Sequence, residues 1–289
     1  MSSLVLGAFD TLQFPPVRFL SAAAQNGPLQ VWLFDCPGLQ VPLAERRYLL
    51  EALRCVSSVS VISLPGSLRE VPTPEQTLSL LQALRSANFA ALPLVHILAA
   101  SRAADFQPTP FWQQTFCQQQ AIPHRLFAEA DLPSLKDTTE LSAGEPPAAS
   151  APARKKIIVT GCFDWLHSGH VRFFEEVSAL GDLYVVVGND ANVRLLKGEG
   201  HPLFPQEERR SLAASIRYVK SALISSGSGW MDAEPEIACL LPDAYAVNED
   251  GDKPEKRQFC ADHGLEYIVL KRTPAPGLPR RSSTDLRGF

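Results

Sequence analysis

The chain has 289 residues, 45% of them hydrophobic, with 27 Lys and Arg against 31 Asp and Glu for a net charge of −4. That length allows about two domains with ordinary buried cores, and an acidic balance without a dense Lys/Arg cluster argues against nucleic acid as the main partner, though not against a local basic pocket. The apolar runs are too short for a membrane span. The six cysteines (Cys36, Cys55, Cys117, Cys162, Cys239 and Cys260) show no ligand spacing, which with no signal peptide read fits packed, reduced thiols in a cytoplasmic protein.

The first motif in chain order is Gly7-Ala8-Phe9-Asp10-Thr11-Leu12-Gln13-Phe14-Pro15-Pro16, followed by apolar strands such as Val31-Trp32-Leu33-Phe34 and Leu94-Val95-His96-Ile97-Leu98. Residues 1–132 read as one α/β domain. A stretch rich in Pro, Ala and Ser over 133–154 reads as an exposed linker, and residues 155–289 read as a second domain. Within the second, the pattern predicts strand Ile157–Thr160, helix Val171–Leu180, strand Tyr184–Gly188, helix Gln206–Ile216, strand Ala222–Ile224, helix Glu234–Leu241, strand Tyr245–Asn248, helix Pro254–His263 and strand Tyr267–Leu270. Short apolar strands separated by amphipathic helices indicate a doubly wound parallel sheet covered on both faces. Ligands then gather at the strands' carboxyl ends, where Gly161–His170, Asn189–Asp190, Asn248–Asp252 and Lys271–Thr273 are expected to converge.

The second half opens on Gly161-Cys162-Phe163-Asp164-Trp165-Leu166-His167-Ser168-Gly169-His170, of which 7–16 is an altered copy with Gln13 and Pro16 in place of the histidines. The likeness runs on in the same order. Val41-Pro42-Leu43-Ala44-Glu45-Arg46-Arg47 parallels Phe204-Pro205-Gln206-Glu207-Glu208-Arg209-Arg210, Leu53–Val56 answers Ile216–Val219, and Phe116-Cys117 answers Phe259-Cys260. The chain is therefore an internal duplication. Between the first two pairs of landmarks the second half gains about nine residues, near Leu195–His201, so the first half lacks a lysine loop.

The strand followed by G-x-F-D-x-x-H-x-G-H resembles the cytidylyltransferase-type nucleotidyltransferases, with Gly161, Phe163, Asp164, His167, Gly169 and His170 matching position by position. The tandem layout is similar to that of ethanolamine-phosphate cytidylyltransferase, and Leu196–Gly200 to the loop of heptose-phosphate adenylyltransferases. The resemblance implies two tandem Rossmann-like domains, the first degenerate, and phosphate contacts by His167, His170 and the loop residue Lys197. It extends the nucleotide site to Gly161, Cys162, Phe163, Asp164, Gly169, Arg209, Asn248, Asp250, Arg272, Ser282, Ser283 and Thr284, and places Trp230 at the substrate. An insert, Pro274–Arg281, separates Arg272-Thr273 from Ser282-Ser283-Thr284 in a signature that is continuous in the family.

Several of these residues also have plainer readings. Lys197 reads as a solvated loop charge, Trp230 as a packing residue, 248–252 as a turn, and Asp164 as a residue that orients the turn through backbone hydrogen bonds. Arg209 and Arg210 are expected to split, one toward solvent and one toward the nucleotide.

The implied reaction is attack by a substrate's own phosphate on the α-phosphorus of a nucleoside triphosphate, releasing pyrophosphate. An ionised phosphate needs no enzymatic base, so the protein supplies positioning and charge neutralisation. His167, His170 and the free N–H groups of the following helix suit that task, as do the hydroxyls of Ser283 and Thr284 at the start of another helix. Mg²⁺ is expected, held mainly by the triphosphate, with no protein metal site. CTP is favoured over ATP, and the acceptor is a phosphorylated amino alcohol, polyol or sugar. A non-catalytic nucleotide sensor is the alternative. In the first half Pro15 and Pro16 remove N–H donors at the helix start, which implies an inactive domain packed against the second as an intrachain pseudo-dimer, with further oligomerisation open.

Overall fold

The computed structural model describes residues 2–66, 73–87, 93–98, 110–133 and 154–283. The chain forms two compact units, Met1–Ser134 and Leu135–Phe289. The linker expected over 133–154 lies outside the described residues except for Pro133 and Arg154. Pro133 belongs with the first unit, since Arg18 donates to the carbonyls of both Leu132 and Pro133.

The first unit runs β1 (Ser3–Gly7), α1 (Phe14–Ala24), β2 (Leu29–Asp35), α2 (Leu43–Glu51), β3 (Val56–Ser63), α3 (Pro74–Ser86), β4 (Leu94–Leu98), α4 (Pro110–Gln119) and β5 (His124–Phe127). Its strands pair in parallel in the order β3-β2-β1-β4-β5. The second unit runs β6 (Lys156–Gly161), α5 (Ser168–Leu180), β7 (Asp182–Val187), α6 (Asp190–Lys197), α7 (Gln206–Ser215), β8 (Val219–Ile224), α8 (Glu234–Leu240), β9 (Ala244–Asn248), α9 (Pro254–Asp262) and β10 (Glu266–Leu270). Its parallel order, β10-β9-β6-β7-β8, is the first unit's order read from the other edge. Both sheets are doubly wound, as expected, with the strand order reversing beside the first strand of each unit.

All-parallel strands are buried on both faces, which is why they read as unbroken apolar runs. Ile157, Ile158 and Val159 of β6 are fully buried, as are Leu4 and Val5 of β1. On one face of the second sheet Ile158, Val186, Tyr245, Val247, Phe259 and Cys260 form a cluster. Its counterpart in the first unit joins Leu4, Trp32, Val95, Ile97, Phe116 and Cys117. The Phe-Cys pairs of the repeat thus sit in equivalent cores, on α4 and α9.

The duplication extends to individual hydrogen bonds. Asp10 accepts from the amides of Gln40 and Val41 at 2.8–3.0 Å, and Asp164 from those of Leu203 and Phe204 at 2.7 and 3.0 Å. The Arg46 guanidinium clasps the carbonyls of Val41, Ala8 and Phe34. Arg209 does the same to Phe204, Cys162 and Gly188. Each clasp ties the first turn after the opening strand to the start of the second crossover helix.

One element departs from expectation. The extra residues of the second half do not form a simple lysine loop but build α6, whose final residue is Lys197. Asn189 caps this helix, its side chain accepting from the Asn192 amide at 2.8 Å while its own amide group donates to the carbonyls of Ser225 and Gly227.

Candidate active site

Strand β6 ends at Gly161, and the chain turns through Phe163 at a φ of 49° before α5 begins at Ser168. The Phe163 ring folds back over Gly161, where a Cβ would stand 2.8 Å from the ring, so any side chain there would push the ring out of place. Behind it Phe163 packs on Phe174 and, edge-on, on His170. The second glycine has a similar reason: a Cβ on Gly169 would lie 2.9 Å from the His167 imidazole.

His167 caps α5, its Nδ1 accepting from the Gly169 amide at 3.1 Å. An accepting Nδ1 leaves the proton of the neutral ring on Nε2, which is then a donor. The His170 ring stacks on His167 with centroids 3.9 Å apart. Burial, followed by His167, Arg272 and Lys197, holds the His170 pKa well below the ordinary histidine value. Helix α5 adds the positive end of its dipole at the same point.

The residues around this pair line an open cleft of about 210 Å³. It brings together Gly161, Cys162, Phe163, Asp164, His167, Gly169, His170, Lys197, Asn248, Asp250, Arg272 and Ser283. Three of the four strand-end segments expected to converge therefore do so. The fourth, Asn189–Asp190, instead serves the scaffold: Asn189 caps α6, and Asp190 pairs with Arg209 at 2.6 Å.

Other predicted residues take places that their sequence did not specify. Arg209 is 1% exposed and spends its guanidinium on three carbonyls and Asp190. Arg210 is 8% exposed, so neither arginine faces solvent and Arg209 has no share in the cleft wall. The Asp164 carboxylate is 3% exposed and engaged with the Leu203 and Phe204 amides, so its side chain shapes the turn. Trp230 is 53% exposed, meets the edge of Phe259, and stands outside the cleft lining. Ser282 is described but does not line the cleft; Thr284, and the helix expected to start with it, lie outside the described residues. Arg272 is held by Asp250 and by the Arg281 carbonyl, which puts the insert's far end against the site. Burial raises the Cys162 thiol pKa, against the opposing effect of Lys197.

Lys256, in the first turn of α9, also lines the cleft and was not singled out from sequence. The repeat contained the signal: aligning Phe116-Cys117 with Phe259-Cys260 sets Lys256 opposite a neutral Gln113. The first unit's turn has the same backbone, with Phe9 at a φ of 52°. There Gln13 stands at the N-cap without a side-chain cap bond, and Pro15 and Pro16 are the second and third residues of α1.

Comparison with known proteins agrees with this geometry. Residues 158–275 match the cytidylyltransferase-like family. An FAD synthase of Ferroglobus placidus is 37% identical over 120 residues, covering 40% of this chain and 75% of its own. One from Methanocella paludicola is 30% identical over 46% of this chain and 93% of its own. The bifunctional protein HldE of Pelobacter propionicus is 35% identical over 36% of this chain, a stretch that spans only 21% of that protein. With most of the FAD synthases' length matched and the cleft residues gathered at the expected strand ends, the chain belongs to the cytidylyltransferase-like family of nucleotidyltransferases.

Proposed function

We propose that the second unit transfers a nucleoside monophosphate from a nucleoside triphosphate to the phosphate of a small phosphorylated acceptor, releasing pyrophosphate. The observation that carries this reading is the stacked His167–His170 pair at the amino end of α5, in one cleft with Lys197 and Arg272. The attacking group is a phosphate oxygen already ionised at neutral pH, so no side chain needs to remove a proton. His167 donates from Nε2, the amides of the first turn of α5 add further donors, and the cations neutralise charge as it builds on the α-phosphate and the leaving group.

Mg²⁺ fits this site as a companion of the triphosphate. Among the described residues no three His, Cys, Asp or Glu side chains cluster as a metal cage, and the cleft carboxylates are engaged, Asp164 with backbone amides and Asp250 with Arg272. The ion would be held mainly by phosphate oxygens and would supply charge neutralisation.

For the donor we favour ATP. The FAD synthase relatives are named for a product that contains an adenosine group, and Leu196–Gly200 resembles the adenylyltransferase loop. The second reading, CTP, is the one favoured from sequence and rests on Phe204–Arg209 and the tandem layout. The first unit is read as non-catalytic, because Gln13 and Pro16 replace the histidines and, among the described residues, no helix corresponds to α6.

The test is pyrophosphate release from the full chain with Mg²⁺, ATP or CTP, and a panel of phosphorylated alcohols, sugars and FMN. Release with one donor identifies it, and silence across the whole panel overturns the reading. Replacing His170 with alanine should lower the rate about 10²- to 10³-fold, as loss of an oxyanion donor does elsewhere; a variant of near-normal rate removes His170 from the chemistry.

A further inference from the structure

Because the two units share a scaffold, the chain carries its own comparison. Both keep the aspartate that holds the turn, the clasping arginine and the left-handed phenylalanine. Among the described residues, only the second has the histidine pair and α6. Lys256 follows the second pattern. Its counterpart Gln113 is fully buried and donates to the Leu6 carbonyl at 2.9 Å, a neutral amide turned into the backbone. Lys256 instead faces the cleft: its Nζ lies 3.9 Å from where a Cβ on Gly251 would stand, and 5.8 Å from the centre of the Tyr245 ring. Among the described residues no carboxylate lies within ion-pair distance of it. Burial, with Lys253 nearby, lowers its pKa from the ordinary lysine value, and a bound anion would reverse that effect.

The strand order gives this lysine a direction. The histidine turn follows β6, α6 with Lys197 follows β7, and α9 with Lys256 follows β9, while β6 lies between β7 and β9. The two lysines therefore reach the histidine pair from opposite sides. Displacement at phosphorus places the attacking and leaving oxygens roughly in line on opposite sides of the reacting atom. The β9–β10 side supplies Lys256 and Arg272, and the β7 side supplies Lys197. Pyrophosphate carries more charge than a phosphate monoester and matches the larger set.

We propose that Lys256 is a substrate-binding residue on the leaving side, holding the β- and γ-phosphates of the donor while Lys197 receives the acceptor's phosphate. This rests on the nucleotidyl-transfer reading above. In the step, an acceptor phosphate oxygen bonds to the α-phosphorus, the bond from that phosphorus to the α–β bridging oxygen breaks, and its electron pair departs on pyrophosphate beside the Lys256 ammonium.

The experiment uses the full chain with Lys256→Met and Lys256→Arg, and has two arms. Calorimetry measures pyrophosphate binding directly. Steady-state kinetics measures KM separately for nucleotide and acceptor. Loss of the ammonium should weaken pyrophosphate binding and raise the nucleotide KM about 10- to 100-fold, the range for a charge-assisted bond. The acceptor KM should stay within about twofold by the same geometry, with arginine restoring most of the loss. Unchanged pyrophosphate affinity in Lys256→Met, absence of pyrophosphate binding in the unaltered chain, or a change confined to the acceptor KM would each overturn the proposal. If the unaltered chain binds pyrophosphate through Lys256 but never releases it from any donor, the transfer reading fails and the lysine assignment stands.

Discussion

His96 and His170, one in each unit, are both held below the ordinary histidine pKa, chiefly by burial, but with different neighbours. His170 stands beside two cations and a second histidine in the cleft. His96 is fully buried on β4 against the Phe127 ring, and neither of its nitrogens has a hydrogen-bond partner among the described residues. Burial, with Arg125 adding to it, lowers its pKa to about 4. An unfolded chain takes up this proton first as the pH falls through the ordinary value near 6.5. Stability is therefore complete at neutral pH, declines as the pH drops toward about 4, and levels off below it. The loss should reach about 2 kcal/mol by pH 5. Denaturation at pH 7 and pH 5, followed by hydrogen exchange of the β1 and β2 amides, should show that loss, and His96→Leu should abolish most of it. An equally steep pH dependence in the variant would mean that His96 is not its source.

At the scale of elements, α6 is what distinguishes the second unit from the first among the described residues. Asn189→Ala removes its N-cap and the three bonds from the Asn189 side chain to the 225–227 loop, and should destabilise the helix by about 1–2 kcal/mol. The expected kinetic result is a raised acceptor KM through Lys197, with urea denaturation reporting the stability change; an unchanged KM would detach α6 from the site.

This helix also marks where sequence alone runs out. Strands β6 and β9 and helices α5, α7 and α9 were legible because buried strands leave apolar runs and packed helices an apolar stripe. In α6, Leu195 and Leu196 are 69% and 58% exposed, so its apolar side chains mark no packed face, and the eight-residue helix is held by hydrogen bonds from side chains at its amino end. The histidine turn was legible because its glycines answer to local clashes. Arg209 and Asp190 were not, since their partners lie on other elements and only the folded chain brings them together. Lys256 was hidden similarly: which side of a surface helix overlooks a crevice is decided by strand order, not by periodicity along the helix.

At the scale of the molecule, one fold appears twice with two sets of side chains at the strands' carboxyl ends. Nucleotide binding should stabilise only the unit that binds it, by about 2.7 kcal/mol at a hundredfold excess over Kd. Hydrogen exchange with and without Mg²⁺ and ATP should then show slowing at 161–170 and 246–251 and none at 7–16. Comparable slowing at 7–16 would show that the first unit has kept a ligand, against its assignment as the non-catalytic half.

The attachment of α6 has a consequence for how such an enzyme can change. Lys197 ends a two-turn arm anchored at its base, while the histidines stand at the start of α5, beyond the end of the central strand β6. Adding one residue to the arm would move that end by about 1.5 Å along its axis and swing it by about 100°, leaving the turn around His167 and His170 in place. On the proposed role of Lys197, acceptor choice can drift through arm length while the geometry of the histidine turn stays fixed.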